Sequence, residues 1–299
     1  MAATKPALSP GATRLTFELP HGIDIVADTY GDPAAQPVIL MHGGGQTRHA
    51  WGGTAAALGD LGFYAISMDH RGHGESSWAE DGNYDLPAFV KDLLGVIDQL
   101  DRTPVLVGAS LGGMTALTAE AGAEGSVARG IVLVDITPRV ETDGVLRILD
   151  FMKGSAEGFA TLDEAADAVA SYLPHRRRRK DLGGLSKNLR LCDDGRYRWH
   201  WDPRVLDNWD PESFTPEDGE QMILERSEAA RRLTIPTLLV RGRMSDVVTE
   251  TQAQEFLALV PHAEYVDLEG AAHMVAGDKN DAFTGSVGDF IQRHFGSES

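Results

Sequence analysis

Val105-Leu106-Val107-Gly108-Ala109-Ser110-Leu111-Gly112-Gly113-Met114-Thr115-Ala116-Leu117 joins a short apolar run to a helix-forming one through glycines and a single serine. The run before Gly108 has the length and composition of a strand buried on both faces, and the residues from Met114 onward continue as a helix. A strand that turns at once into a helix forces its central residue into a strained backbone conformation. Small flanking residues then let neighbouring chain pass close by. Gly108 and Gly112 occupy those flanks, so Ser110 is the side chain thrust outward. The helix start behind it aims unpaired amides and a partial positive charge at any oxyanion formed there, which makes the Leu111 N–H a candidate donor.

Working outward, similar runs occur at Pro37–Met41, Tyr64–Met68, Gly130–Val134 and Pro236–Val240. Between them lie helical patterns, best seen in Phe89, Val90, Leu93, Leu94, Ile97 and Leu100 within Leu86–Leu100. Strand and helix alternate, which predicts an α/β fold around a parallel sheet. Arg14–Glu18 and Gly22–Thr29, flanking the turn-like Pro20-His21-Gly22, predict an antiparallel hairpin at the start. The alternation resumes near the end with a helix over Thr251–Leu259, a strand over Ala263–Leu268 and a last helix near Asp281–Phe295.

The pattern breaks over residues 138–232, which are read as an insertion between core segments 1–137 and 233–299. Thr161-Leu162-Asp163-Glu164 has capping-box spacing and starts a helix that stops before Pro174, so the insertion is mainly helical. Asp194-Gly195 signals a hairpin turn, after which Tyr197, Trp199 and Trp201 alternate with Arg196, Arg198 and His200. The aromatic face either anchors the insertion on the core or walls a ligand pocket. The basic run Arg176–Lys180 reads as a solvated helix face and is assigned no function.

A serine needs a base, usually a histidine held by a carboxylate. Among the 10 histidines, His273 follows the last strand in a loop of small residues. Two aspartates compete to orient it. Asp246 lies past the strand ending near Val240 and is preferred; Asp135, directly after the strand ending at Val134, is the rival, with turn capping as its alternative role. The run His42-Gly43-Gly44-Gly45-Gln46 follows a strand and can turn a backbone N–H toward a developing oxyanion, with Gly44 proposed and Leu111 as second donor. It lacks the Gly-Lys-Ser/Thr of a phosphate loop and dinucleotide-binding spacing. Asp69-His70-Arg71-Gly72-His73-Gly74-Glu75-Ser76 reads as a tight polar turn rather than a metal site.

The composition agrees with an ordinary globular protein. Of 299 residues, 42% are hydrophobic and 24% charged, without an apolar run long enough to span a membrane. The net charge of −18 repels phosphate backbones, so nucleic acid is not an expected partner. Cys192, the single cysteine, cannot form an internal disulfide, and the opening residues lack a secretory signal's apolar core; both fit a reducing cytoplasm. Oligomeric state is not readable.

Taken in chain order, His42-Gly43-Gly44, the Asp69–Ser76 turn, Gly108–Gly112, Arg241–Asp246 and Gly270–His273 together resemble the α/β-hydrolase family with a cap domain. The resemblance covers nearly the whole chain. It implies an eight-stranded, mostly parallel sheet, Ser110 as nucleophile, Asp246 as orienting acid, His273 as base, and the insertion as a lid. Relatives that open epoxides or remove halogens carry aspartate at the position of Ser110, so that covalent route is not expected. The expected function is hydrolysis of a small or medium hydrophobic carboxylic ester or lactone through an acyl-enzyme, without cofactor or metal. Tyr197, Trp199, Trp201 and His42 are the expected pocket residues. Haloperoxidase or perhydrolase, amide and carbon–carbon bond hydrolysis are the alternatives within the fold, and a ligand-binding protein that retains the triad is the alternative outside enzymes.

Overall fold

The computed structural model describes residues 11–155, 157–172, 182–209, 215–273 and 281–296. The basic run Arg176–Lys180 lies outside them. In chain order the elements are β1 (Thr13–Glu18), β2 (Asp24–Tyr30), β3 (Pro37–Met41), α1 (Gly52–Asp60), β4 (Tyr64–Met68), α2 (Leu86–Ile97), β5 (Val105–Ala109), α3 (Leu111–Gly122) and β6 (Gly130–Val134). Then follow α4 (Thr142–Gly154), α5 (Leu162–Tyr172), α6 (Gly183–Ser186), β7 (Leu189–Leu191), β8 (Tyr197–Trp199), α7 (Pro216–Arg231), β9 (Thr237–Gly242), α8 (Glu250–Leu259), β10 (Glu264–Leu268) and α9 (Asp281–Phe295).

The main sheet has eight strands in the order β1-β2-β4-β3-β5-β6-β9-β10. The opening hairpin pairs antiparallel with itself and with β4, and every other pairing is parallel. Apolar runs become strands here because both faces are covered. Ile39, Met41, Leu106, Ile131, Leu133 and Leu239 face one buried cluster that includes Leu93, Met114, Leu117 and Phe256 from α2, α3 and α8. Their neighbours Val38, Leu40, Val105, Val107, Val132, Val134, Leu238 and Val240 face the opposite cluster, with Leu58, Phe283, Phe290 and Ile291 from α1 and α9. The two-residue period of the strand therefore divides one continuous apolar run between two cores.

Among the described residues, the elements between β6 and β9 are helical apart from the β7–β8 hairpin, whose turn holds Gly195 at φ +79°. Thr161 Oγ1 accepts the Glu164 N–H at the start of α5 (3.1 Å), and the Glu164 carboxylate bonds the Ala160 N–H (2.6 Å). α7 differs from the rest of the insertion in packing on α3 and α8, so its end joins the core layer through Ala230. Among the described residues no helix is long and apolar enough to cross a membrane.

Candidate active site

Ser110 sits between β5 and α3 with φ +47° and ψ −113°, a backbone region that L side chains rarely adopt. The flanking glycines explain how this geometry is tolerated. A Cβ on Gly108 would lie 2.3 Å from the Gly112 carbonyl carbon, and one on Gly112 would lie 2.4 Å from the Met41 oxygen. The elbow thus presses α3 onto its own strand and onto β3 at a separation only hydrogen can occupy. Leu111 opens α3, so its N–H has no intrahelical acceptor and is presented beside Ser110.

The neighbouring strand brings Asp135 level with the serine. Ala109 pairs with Val134, and the Ser110 N–H bonds the Val134 oxygen (3.2 Å). Asp135 also has positive φ, +49°, and its side chain is fully buried. Three donors converge on its carboxylate. His273 Nδ1 lies 2.7 Å from Oδ2, the Gly242 N–H donates to Oδ1 (3.0 Å), and the Ser245 hydroxyl donates to Oδ2.

The expectation that Asp246 holds His273 does not survive this geometry. Asp246 lies farther out in the turn after β9, 42% exposed, where it pairs with Arg147 of α4 at 2.9 Å. The backbone decides between the two acids: Asp135 turns inward directly at the strand end, whereas the Asp246 segment lies against α4. A Cβ on Gly144 of α4 would meet the Asp246 carbonyl oxygen at 2.1 Å.

The glycine loop after β3 approaches the elbow from the other side. A Cβ on Gly43 would touch the Ser110 Cβ at 3.4 Å. The Gly43 N–H donates to Gln46 Oε1 (3.1 Å) and the Gly45 N–H to His73 Nε2 (3.2 Å), so the Gly44 N–H between them lies outside both bonds. His42, expected in the pocket, is instead fully buried beneath the loop. Its Nδ1 bonds the Gly43 oxygen (2.8 Å), and its Nε2 accepts the His70 N–H (3.1 Å). Burial lowers the pKa of His42, and it lowers His70 and His73 too, His73 to about 3.

The Asp69–Ser76 turn supports that loop. Arg71 grips Asp92 with two bonds of 2.6 Å, and the Asp69 carboxylate bonds the Arg48 guanidinium and the Arg48 and Glu75 N–H groups. Desolvation pushes the Asp69 carboxyl up, but the Arg48 charge and the other contacts outweigh it and hold the group below its ordinary value. Gly74, at φ +55°, leaves room for that carboxylate, since a Cβ there would overlap it at 2.0 Å.

The insertion covers the loop. A Cβ on Gly45 would reach the Met152 thioether methyl at 3.1 Å, and Met152 clusters with Leu149, Trp201 and Leu206. Trp201, 3% exposed, belongs to this apolar cover. Trp199 packs edge-on to Phe159 and donates from Nε1 to Ser155 Oγ (2.7 Å), while Tyr197 packs with Phe159 and Leu189. The rings of Tyr197 and Trp199 therefore pack within the insertion itself, against Phe159, Leu189 and Ser155.

A family model described as the alpha/beta hydrolase fold matches residues 36–279. The chain belongs to the α/β-hydrolase fold family. Among curated relatives, an esterase of Mycobacterium tuberculosis is 30% identical over 257 residues, 82% of this chain and 79% of the relative. A 3-hydroxybutyrate-oligomer hydrolase of Cupriavidus necator is 28% identical over 257 residues, 82% of this chain and 85% of the relative. The crystal structure of E-2-(acetamidomethylene)succinate hydrolase superposes with a TM-score of 0.80 at 22% identity, covering 94% of this chain and 99% of that one, a likeness of fold alone. The chain is thus an enzyme, a hydrolase of this α/β fold.

Three contacts at this α/β-hydrolase site escaped sequence reasoning: Ser245 on Asp135, Gln46 on Gly43 and His73 on Gly45. Only Gln46 carried a usable signal, a polar side chain directly after the glycine run.

Proposed function

We propose that the chain hydrolyses small or medium hydrophobic carboxylic esters or lactones through an acyl-enzyme, with Ser110 as nucleophile, His273 as base and Asp135 as orienting acid. The observation that carries this reading is the 2.7 Å bond between His273 Nδ1 and Asp135 Oδ2, beside the strand end where the elbow presents Ser110. A carboxylate on Nδ1 selects the tautomer whose Nε2 is free to take the serine proton. Ser110 Oγ then bonds the acyl carbon, and the negative oxygen of the tetrahedral intermediate is held by the Gly44 and Leu111 amides. The imidazolium returns its proton to the leaving alkoxide. Water, activated by the same nitrogen, releases the acid and restores the serine. The nucleophile, the base, the orienting acid and the two oxyanion donors in these steps are side chains or amides of the chain; the ester and the water come from solution.

The ester class draws support from the 30% identity to the mycobacterial esterase. A hydrophobic substrate is favoured by Leu149, Met152, Trp201 and Leu206, the apolar cluster above the glycine loop. The test is a p-nitrophenyl ester series, with lactones in parallel, run on the wild type and Ser110→Ala, with mass analysis for an acyl adduct. The expected result is burst kinetics, an adduct on Ser110 and no turnover by the variant. Turnover that survives Ser110→Ala, or an adduct on another residue, overturns the reading.

A further inference from the structure

We propose that His73 is a positioning residue of the oxyanion loop: its Nε2 anchors the Gly45 N–H and so sets the direction of the Gly44 N–H toward the carbonyl at Ser110. The inference rests on the reading of Ser110 as nucleophile.

Gly43, Gly44 and Gly45 have no side chains to pack and unusual backbone freedom, so the direction of their amides must be imposed from outside. Gln46 restrains one end and His73 the other. The chemistry of the second contact follows from the ring's other nitrogen. His73 Nδ1 lies 3.0 Å from the Arg71 carbonyl oxygen, which can only accept, so Nδ1 carries the hydrogen and Nε2 presents a lone pair to Gly45. The ring has no solvent exposure, and burial that disfavours its protonation keeps that lone pair available.

The backbone that carries the ring is held as firmly. His73 N–H bonds the His70 oxygen (3.0 Å), and Gly74 is seated over the Asp69 carboxylate. The same turn carries the cap: His73 forms an isolated antiparallel bridge with Trp201, the Gly74 N–H donates to the His200 oxygen (2.6 Å), and the Asp202 N–H donates to the Gly72 oxygen (2.7 Å). One histidine turn therefore receives the cap on its backbone and restrains the oxyanion loop with its side chain. A histidine that merely filled space would be replaceable by any residue of its size. A positioning histidine is replaceable only by one that returns an acceptor near Nε2, which glutamine does through Oε1.

The test compares His73→Gln and His73→Leu, using p-nitrophenyl ester kinetics, inhibition by an alkyl trifluoromethyl ketone, and urea unfolding. Loss of one oxyanion donor costs about a hundredfold to a thousandfold, and a misdirected donor part of that, so His73→Leu is expected to lower kcat at least about tenfold while KM stays within about threefold. Affinity for the ketone, whose adduct carries the oxyanion, falls with kcat, and His73→Gln recovers most of both. Wild-type kcat in a folded His73→Leu, or equal loss in the leucine and glutamine variants at equal stability, overturns the proposal. Nitrogen-15 spectra of the His73 ring in the wild type supply a check that needs no variant: an Nδ1–H tautomer is expected, and an Nε2–H tautomer overturns the proposal. Failure of the wild type to turn over esters, or retention of turnover by Ser110→Ala, would instead strike the Ser110 reading.

Discussion

At the residue scale, two aspartates with similar credentials end in different surroundings. Asp135 receives three hydrogen bonds in a fully buried position, and Asp246 forms a solvent-facing pair with Arg147. Replacing the carboxylate that fixes a catalytic imidazole typically costs about 10,000-fold in kcat, so Asp135→Asn is expected to lose about that much. An exposed ion pair contributes little, so Asp246→Asn should stay within about threefold of wild type. Ester kinetics on the two variants checks both, and the reverse ranking would return the orienting role to Asp246. The sequence placed both residues past strand ends at one sheet edge, but not which way each backbone turned. The positive φ of Asp135, unlike that of Ser110, is flanked by no glycines whose spacing would announce it.

At the scale of elements, the strand–elbow–helix unit depends on close approach. α3 lies so near β3 that a Cβ on Gly112 would overlap the Met41 carbonyl, whose backbone cannot move without disturbing the sheet. Gly112→Ala should therefore lower stability by about 1–3 kcal/mol, the usual cost of overpacking, and reduce activity by shifting Ser110. Urea unfolding and ester turnover measure the two effects, and wild-type stability would contradict the packing argument. The glycine spacing made this unit legible from sequence. The segment between β6 and β9 was less so: the helical period and the Asp194-Gly195 turn revealed elements of it, but not that α7 packs on α3 and α8 or that Trp199 turns toward Ser155.

For the whole molecule, burial of histidine sets the response to acid. His42, His70 and His73 have no more than 1% exposure, and His49 is largely buried. Desolvation lowers all four from 6.5, with His49 falling to about 4, helped by the Arg48 charge, and His73 to about 3. A folded-state pKa below the unfolded value means the unfolded chain binds protons first. This stabilising contribution is fully present above 6.5 and is lost as pH falls toward the folded values. Each such histidine steepens the loss by up to about 1.4 kcal/mol per pH unit. The urea midpoint should accordingly fall between about pH 7 and about pH 5, before most carboxylates titrate. An unchanged midpoint over that interval would mean that these histidines titrate alike in both states.

Local spacing by itself determined the parallel sheet, the elbow serine, the glycine run and the loop that ends in His273, because each depends on neighbours in the chain: apolar period, a glycine's missing side chain, a strand's end. Tertiary structure alone decided which aspartate His273 meets, which amides Gln46 and His73 restrain, and what the aromatic rings of Tyr197, Trp199 and Trp201 pack against. Those outcomes depend on the direction in which separate strand ends and loops turn toward one another, and that direction is set by burial and steric fit between segments far apart in sequence.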